Sequence, residues 1–225
     1  MKNQKIVFVF LLLISVCANA VVWEYELSDA LIEMVDIRGN KTHSANMQVI
    51  DYYVKRISHY AKEYPSRFKD ENEKKEVIQK LKELLGILEI MAEDQQNNPD
   101  FLDMAAFVNS MGYNVDIKGT GEKTVFYYKK LLDIMPDNPT ANYNLGVFLS
   151  GTRTQHFESI TYLEKALKLG RDDARYSLGL LYYQLGEKDK GISMLKKYSS
   201  DNPNNRRVKK VIEAMISNNL KYESS

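Results

Sequence analysis

The chain has 225 residues, with 31 basic and 30 acidic side chains, a net charge of +1 and 44% hydrophobic residues. That balance excludes the concentrated basic face that nucleic acid requires, and a polybasic membrane anchor. A chain this long buries a core without covalent staples, and its single cysteine, Cys17, excludes an internal disulfide.

The first twenty residues read as an export signal. Lys2 and Lys5 make a positive start, and Ile6 to Val16 form an uncharged apolar run of eleven residues. Ala18-Asn19-Ala20 then supplies small residues where a signal peptidase tests them, which predicts cleavage after Ala20. The run is too short to span a hydrocarbon core, which takes about 20 residues. Retention as an uncleaved anchor is the alternative. Lipidation of Cys17 is disfavoured because Val16 precedes it. After cleavage the chain holds 29 basic and 30 acidic residues, net −1, and no thiol. An Asn-, Lys- and Ile-rich composition points to a bacterial protein, periplasmic or secreted.

Residues 21–100 form an N-terminal helical region. Ser28 is expected to cap a short helix ended by Gly39, with Leu31, Ile32, Met34 and Val35 on its apolar side. From Ala45 to Tyr64 the series Val49, Ile50, Tyr53, Val54, Ile57, Ala61 recurs every three or four residues, and Pro65 stops it. A charged turn follows. Val77, Leu81, Leu84, Leu85, Leu88 and Met91 then mark one stripe of a long amphipathic helix, ended by Asn97-Asn98-Pro99. Together these predict a long αα-hairpin.

Beyond residue 100 the helices shorten and turn signals recur. An apolar-Gly pair occurs at Met111-Gly112, Leu145-Gly146 and Leu178-Gly179, at spacings of 34 and 33 residues. Such a period means stacked supersecondary units, none able to bury its apolar face alone.

Here the sequence resembles the tetratricopeptide repeat, a helix-turn-helix unit of ~34 residues with a W-x2-L-G-x2-Y…A-x3-F…P pattern. The last copy matches best: Leu178-Gly179, Tyr182, a Gly186 turn, Gly191 in the alanine place, Leu195 in the aromatic place and Pro203 at the close. The middle copy offers Leu145-Gly146, Leu149, Ser159, Leu163 and Ala166, with an inter-helix turn one residue longer than usual. The first offers Met111-Gly112, Thr124, Tyr128 and Pro136. No copy keeps the tryptophan; Val108, Asn142 and Arg175 stand there. A glycine facing a small residue lets two helices pack at the short end of the 8–10 Å range. Residues 101–217 are thus expected to hold the repeats and a capping helix from Arg206 to Ser217, leaving 218–225 as a tail. The fold class is all-α, a short αα-hairpin solenoid preceded by a longer helical hairpin.

Chemistry finds little support. GTGEKT at 119–124 imitates a phosphate loop, but Ile117 stands where the first glycine is required and Glu122 precedes Lys123. His43, His59 and His156 have no metal-ligand spacing. No residue is nominated as catalytic, and no cofactor or metal is expected.

The resemblance implies a binding groove along the concave surface, lined by the first helix of each hairpin. The residues beside each apolar-Gly pair would face it: Asn109 and Tyr113; Tyr143, Asn144 and Val147; Tyr176, Leu180, Tyr183 and Gln184. Tyrosine gives large contact area at low entropic cost, and amides can bond a peptide backbone. The same tyrosines fit a second role, filling the joints between hairpins. The reading is an exported, non-enzymatic scaffold for a peptide or partner protein. Its rivals are a self-associating envelope component, dimerising through the hairpin at 45–94, and an envelope enzyme with its site in the N-terminal half.

Overall fold

The structure, a computed structural model, describes residues 21–35, 38–39, 41–92, 94–152 and 155–223. The expected export signal and residues 224–225 of the expected tail lie outside the described residues.

The segment expected as a short helix near Ser28 is instead a 3₁₀ turn, Leu27–Ala30, followed by a β-hairpin. Strands β1 (Leu31–Val35) and β2 (Lys41–Ala45) pair antiparallel, with Leu31 opposite Ala45 and Val35 opposite Lys41. Apolar residues at 31, 32, 34 and 35 fit a helical stripe as well as a strand. The partner strand, Lys-Thr-His-Ser-Ala, is too polar to advertise the pairing. Gly39 adopts φ +83°, a turn conformation open to glycine, and the Asn46 N–H closes the hairpin on the Ala30 carbonyl at 2.9 Å.

Helix α1 (Met47–Ala61) and the longest helix, α2 (Glu71–Ala92), follow as the periodicity predicts. Asp70 starts α2 by accepting from the backbone of Asn72 and Glu73, both at 2.9 Å, while the Glu73 carboxylate reaches back to the Lys69 N–H at 2.6 Å. This reciprocal cap satisfies donors that no helix can bond internally. The stripes of both helices are spent inside the chain: Ile50, Tyr53, Ile57, Leu81, Leu84 and Leu88 are all 1% exposed or less. Each such burial is worth roughly 1.5–3 kcal/mol, against 1 kcal/mol or less for surface ion pairs such as Lys80–Glu83. Packing, not charge, holds this end.

Three helix pairs carry the repeat: α3 (Pro99–Asn114) with α4 (Thr120–Ile134), α5 (Pro139–Ser150) with α6 (His156–Lys168), and α7 (Asp173–Gln184) with α8 (Lys188–Asp201). Asn98 and Asn138 each cap a first helix with proline at its first position, the residue whose missing N–H costs nothing there. The glycines sit at the points of closest approach. A β-carbon added at Gly146 would lie 2.7 Å from Leu163 Cγ, and one at Gly191 would lie 2.6 Å from the Gly179 carbonyl oxygen. In the middle copy Ser159 is small enough to fit and donates its hydroxyl to the Gly146 carbonyl at 2.7 Å. In the first copy the neighbour of Gly112 is Thr120 rather than Thr124, which turns its hydroxyl onto the Thr120 carbonyl at 2.8 Å.

Helix α9 (Arg206–Glu223) closes the stack and runs on through most of the segment expected as a tail. Buried residues form one cluster from Val21 to Leu149, so the N-terminal hairpin and the first repeat share a core. Two smaller clusters follow, around Leu163–Tyr182 and around Ile192–Ile212.

Candidate binding face

The residues expected to line the groove fall into three groups. Asn109 does not line it. It is 2% exposed, and its Nδ2 donates to the Ala105 carbonyl at 2.8 Å within its own helix. Tyr176, Leu180 and Tyr183 pack on the cluster of Leu195, Tyr198, Val208 and Ile212, at the joint with α9. Tyr176 meets Tyr198 with ring centroids 5.6 Å apart, and the Tyr183 hydroxyl donates to the Met215 carbonyl at 3.2 Å. At this joint the tyrosines fill space between elements. The capping helix stands where the next repeat would.

Asn144 and Tyr143 are half-buried. Asn144 is bonded to the hydroxyl of buried Tyr128, whose ionisation is pushed well up by burial and then by the Asp103 carboxylate, against the pull of that bond. Burial, with Asp100 second, also raises the Asp103 carboxyl above the usual range. The Arg171 guanidinium lies over the Tyr143 ring, 4.9 Å from its centroid, and is itself held by Thr140 and Asp173, each at 3.3 Å. The ring also packs against the buried cluster around Leu163 and Leu178, so it is only partly open as a contact.

Tyr113, Val147 and Gln184 form the open group. Tyr113 is 43% exposed and Val147 39%; Gln184 is exposed at the end of α7. Tyr113 stands edge-on to Phe148, centroids 5.1 Å apart, and lies against Gly121, where a β-carbon would come within 2.9 Å of its ring. The glycines of the GTGEKT segment therefore serve packing: Gly119 makes the left-handed turn into α4, and Gly121 makes room for the ring.

Beside Tyr113 and Phe148 a cleft of about 660 Å³ opens between the turn ends of the first two hairpins. Ile117, Val125 and the two rings give it an apolar wall; Asp116, Lys118, Glu122, Thr152 and Gln155 supply polar groups. This is the size of an ordinary ligand or side-chain site. The sequence reading missed Phe148, Ile117 and Val125. Phe148 carried one signal, an aromatic directly after Val147 on an apolar-Gly helix. Among the described residues no group of three or more His, Cys, Asp or Glu could hold a metal ion, and no helix is long and apolar enough to cross a membrane.

No protein-family model matches the sequence. No curated protein matches it either. Solved structures do. A crystal structure of MamA is similar over 68% of this chain and 86% of its own, at 21% identity and a TM-score of 0.53. A second MamA structure covers 74% and 82%, at 20% identity and 0.52. TTC0263, a thermophilic TPR protein from Thermus thermophilus, covers 76% and 92%, at 14% identity and 0.54. Identities this low establish likeness of architecture alone. With the glycine contacts, the 34- and 33-residue spacing and the three stacked hairpins, they make this a tetratricopeptide-type fold: a helical repeat solenoid preceded by a helical hairpin.

Proposed function

We propose that the chain is an exported scaffold that holds a peptide or partner protein along the first-helix face of its first two repeats. The observation that carries this reading is the open apolar surface of Tyr113 and Val147, set beside a 660 Å³ cleft walled by Phe148, Ile117 and Val125. Exposed aromatic and aliphatic groups around a concavity with polar groups at hand are the anatomy of a side-chain socket. Tyr143 and Gln184 extend the surface, and the three residues beneath α9 drop out of it. Self-association through the apolar stripes of α1 and α2 is disfavoured because those stripes are buried within one chain.

The test is affinity capture from the envelope fraction of the source cell, with the native protein and with a Tyr113→Ser, Val147→Asp double variant. A partner identified by mass spectrometry should copurify with the first and be lost with the second, at unchanged helicity by circular dichroism. Equal recovery with both would discard this face.

A further inference from the structure

The first ten described residues lie as a strap on α1 and α2, and the strap begins at the atom that export processing would release. Val21 is 8% exposed, and its backbone nitrogen donates to Glu76 Oε2 on α2 at 3.2 Å. The other oxygen of that carboxylate, Oε1, accepts from the Trp23 indole at 2.7 Å. Trp23 stacks on Tyr53, centroids 4.9 Å apart and planes within 10°. From α1, Arg56 Nη2 donates to the Val22 carbonyl at 3.2 Å, the Tyr53 hydroxyl donates to the Tyr25 carbonyl at 2.7 Å, and the Tyr52 hydroxyl accepts from the Glu24 N–H at 2.8 Å. Further along, Leu27 (3% exposed) and Ala30 (0%) join the buried core. Glu76 is half-buried and forms no ion pair among the described residues. It accepts two neutral N–H groups, both from the first three residues of the strap.

We propose that Glu76 is a receptor for the new N-terminus, so that cleavage after Ala20 completes the fold. This rests on the export reading. A peptidase adds water across the Ala20–Val21 amide: the water oxygen joins the Ala20 carbonyl carbon as the C–N bond breaks, Ala20 departs with the carboxylate, and the Val21 nitrogen takes up both water hydrogens. One neutral donor becomes an ammonium with three, in place 3.2 Å from a carboxylate oxygen. A charge-assisted bond of this kind is about twice as strong as the neutral one it replaces. Cleavage precedes docking, because a peptidase needs an extended, open bond and the docked Val21 is nearly buried. The fastened strap then seals the outer side of the N-terminal hairpin.

The test expresses the full chain with its leader in a bacterial host and purifies the exported protein. Mass spectrometry of its N-terminus should find Val21. A second chain carries one glycine inserted between Ala20 and Val21, which keeps the Val21 N–H and moves the charge one residue away. Its melting temperature should be lower by roughly 2–4 °C, and Glu76→Gln in both chains should abolish the difference. Equal melting of the two Glu76 chains, or a difference that survives Glu76→Gln, overturns the proposal. Should Glu76→Gln prevent folding, selective acetylation of the processed N-terminus must produce the same fall, and its failure overturns the proposal too. A terminus other than Val21 overturns the processing reading on which the proposal rests. Capture of a partner by the Tyr113–Val147 face is measured separately and stands or falls alone.

Discussion

Helices α5 and α7 hold the same places in successive repeats, yet their corresponding residues do different work. Val147 and Leu180 each follow the repeat glycine. Val147 is 39% exposed, whereas Leu180 packs into the cluster that α9 closes. Nothing within either helix causes the difference. Their surroundings do: Leu180 lies against side chains of α8 and α9, whereas Val147 joins no buried cluster. A repeat pattern fixes which way a side chain faces. Whether that direction meets solvent is decided by the element beyond.

Removing the cover has the largest expected effect. A chain ending at Asn205 lacks α9 and uncovers Tyr176, Leu180 and Tyr183. With the apolar side chains of that cluster returned to water, at roughly 1.5–3 kcal/mol for each one fully uncovered, it should lose several kcal/mol from the C-terminal part, measured by urea denaturation followed by circular dichroism. Partner capture by the first two repeats should persist. If stability is unchanged, the covered face is as open as the other.

A smaller loss tests the glycine joint beneath that face. Gly191→Ala places a β-carbon 2.6 Å from the Gly179 carbonyl oxygen and 2.7 Å from the Tyr183 nitrogen. Both are backbone atoms, so no side chain can swing aside, and overpacking should cost about 2–3 kcal/mol. A loss under about 0.5 kcal/mol, the level of an ordinary surface substitution, would mean that the hairpins are not locked by this contact.

On the open face the expected effect on folding is smaller still. Tyr113→Ser removes a ring that is 43% exposed and meets Phe148 edge-on, which should cost about 1 kcal/mol. Partner affinity should fall at least about tenfold, the equivalent of 1.4 kcal/mol. Titration calorimetry with the captured partner measures the second figure. The smallest effect carries the opposite sign. Gly86 lies exposed within α2 with nothing within 4 Å of its missing β-carbon, so Gly86→Ala should stabilise by roughly 0.5–1 kcal/mol. Thermal melts of Gly86→Ala and Gly191→Ala side by side separate helix propensity from joint packing.

The repeat was legible in the sequence because its signals are local and periodic. Three apolar-Gly pairs about 34 residues apart, with small residues at Ser159 and Gly191, dictate close helix contacts, and the contacts are there. The β-hairpin was not legible. Its register joins Leu31–Val35 to a polar strand, and the same apolar spacing satisfies a helix. The cleft was not legible either, since Ile117 and Thr152 come from two turns and meet only when the hairpins stack. Asn109 misled for a related reason: its amide bonds its own helix backbone and is enclosed, where the pattern alone put it on a surface. The division expected at residue 100 marks a change of rhythm, but buried side chains cross it without interruption.

That unbroken run has a bearing on how the protein comes apart. Side chains interlocked from Val21 to Leu149 must release together, so amide exchange in α1 to α5 should report one shared opening event. The two small clusters beyond offer fewer partners, so amide exchange in α8 and α9 should be faster than in α1 to α5. An intruding protease would cut first near the turn after Asp201, well away from the anchored N-terminal end.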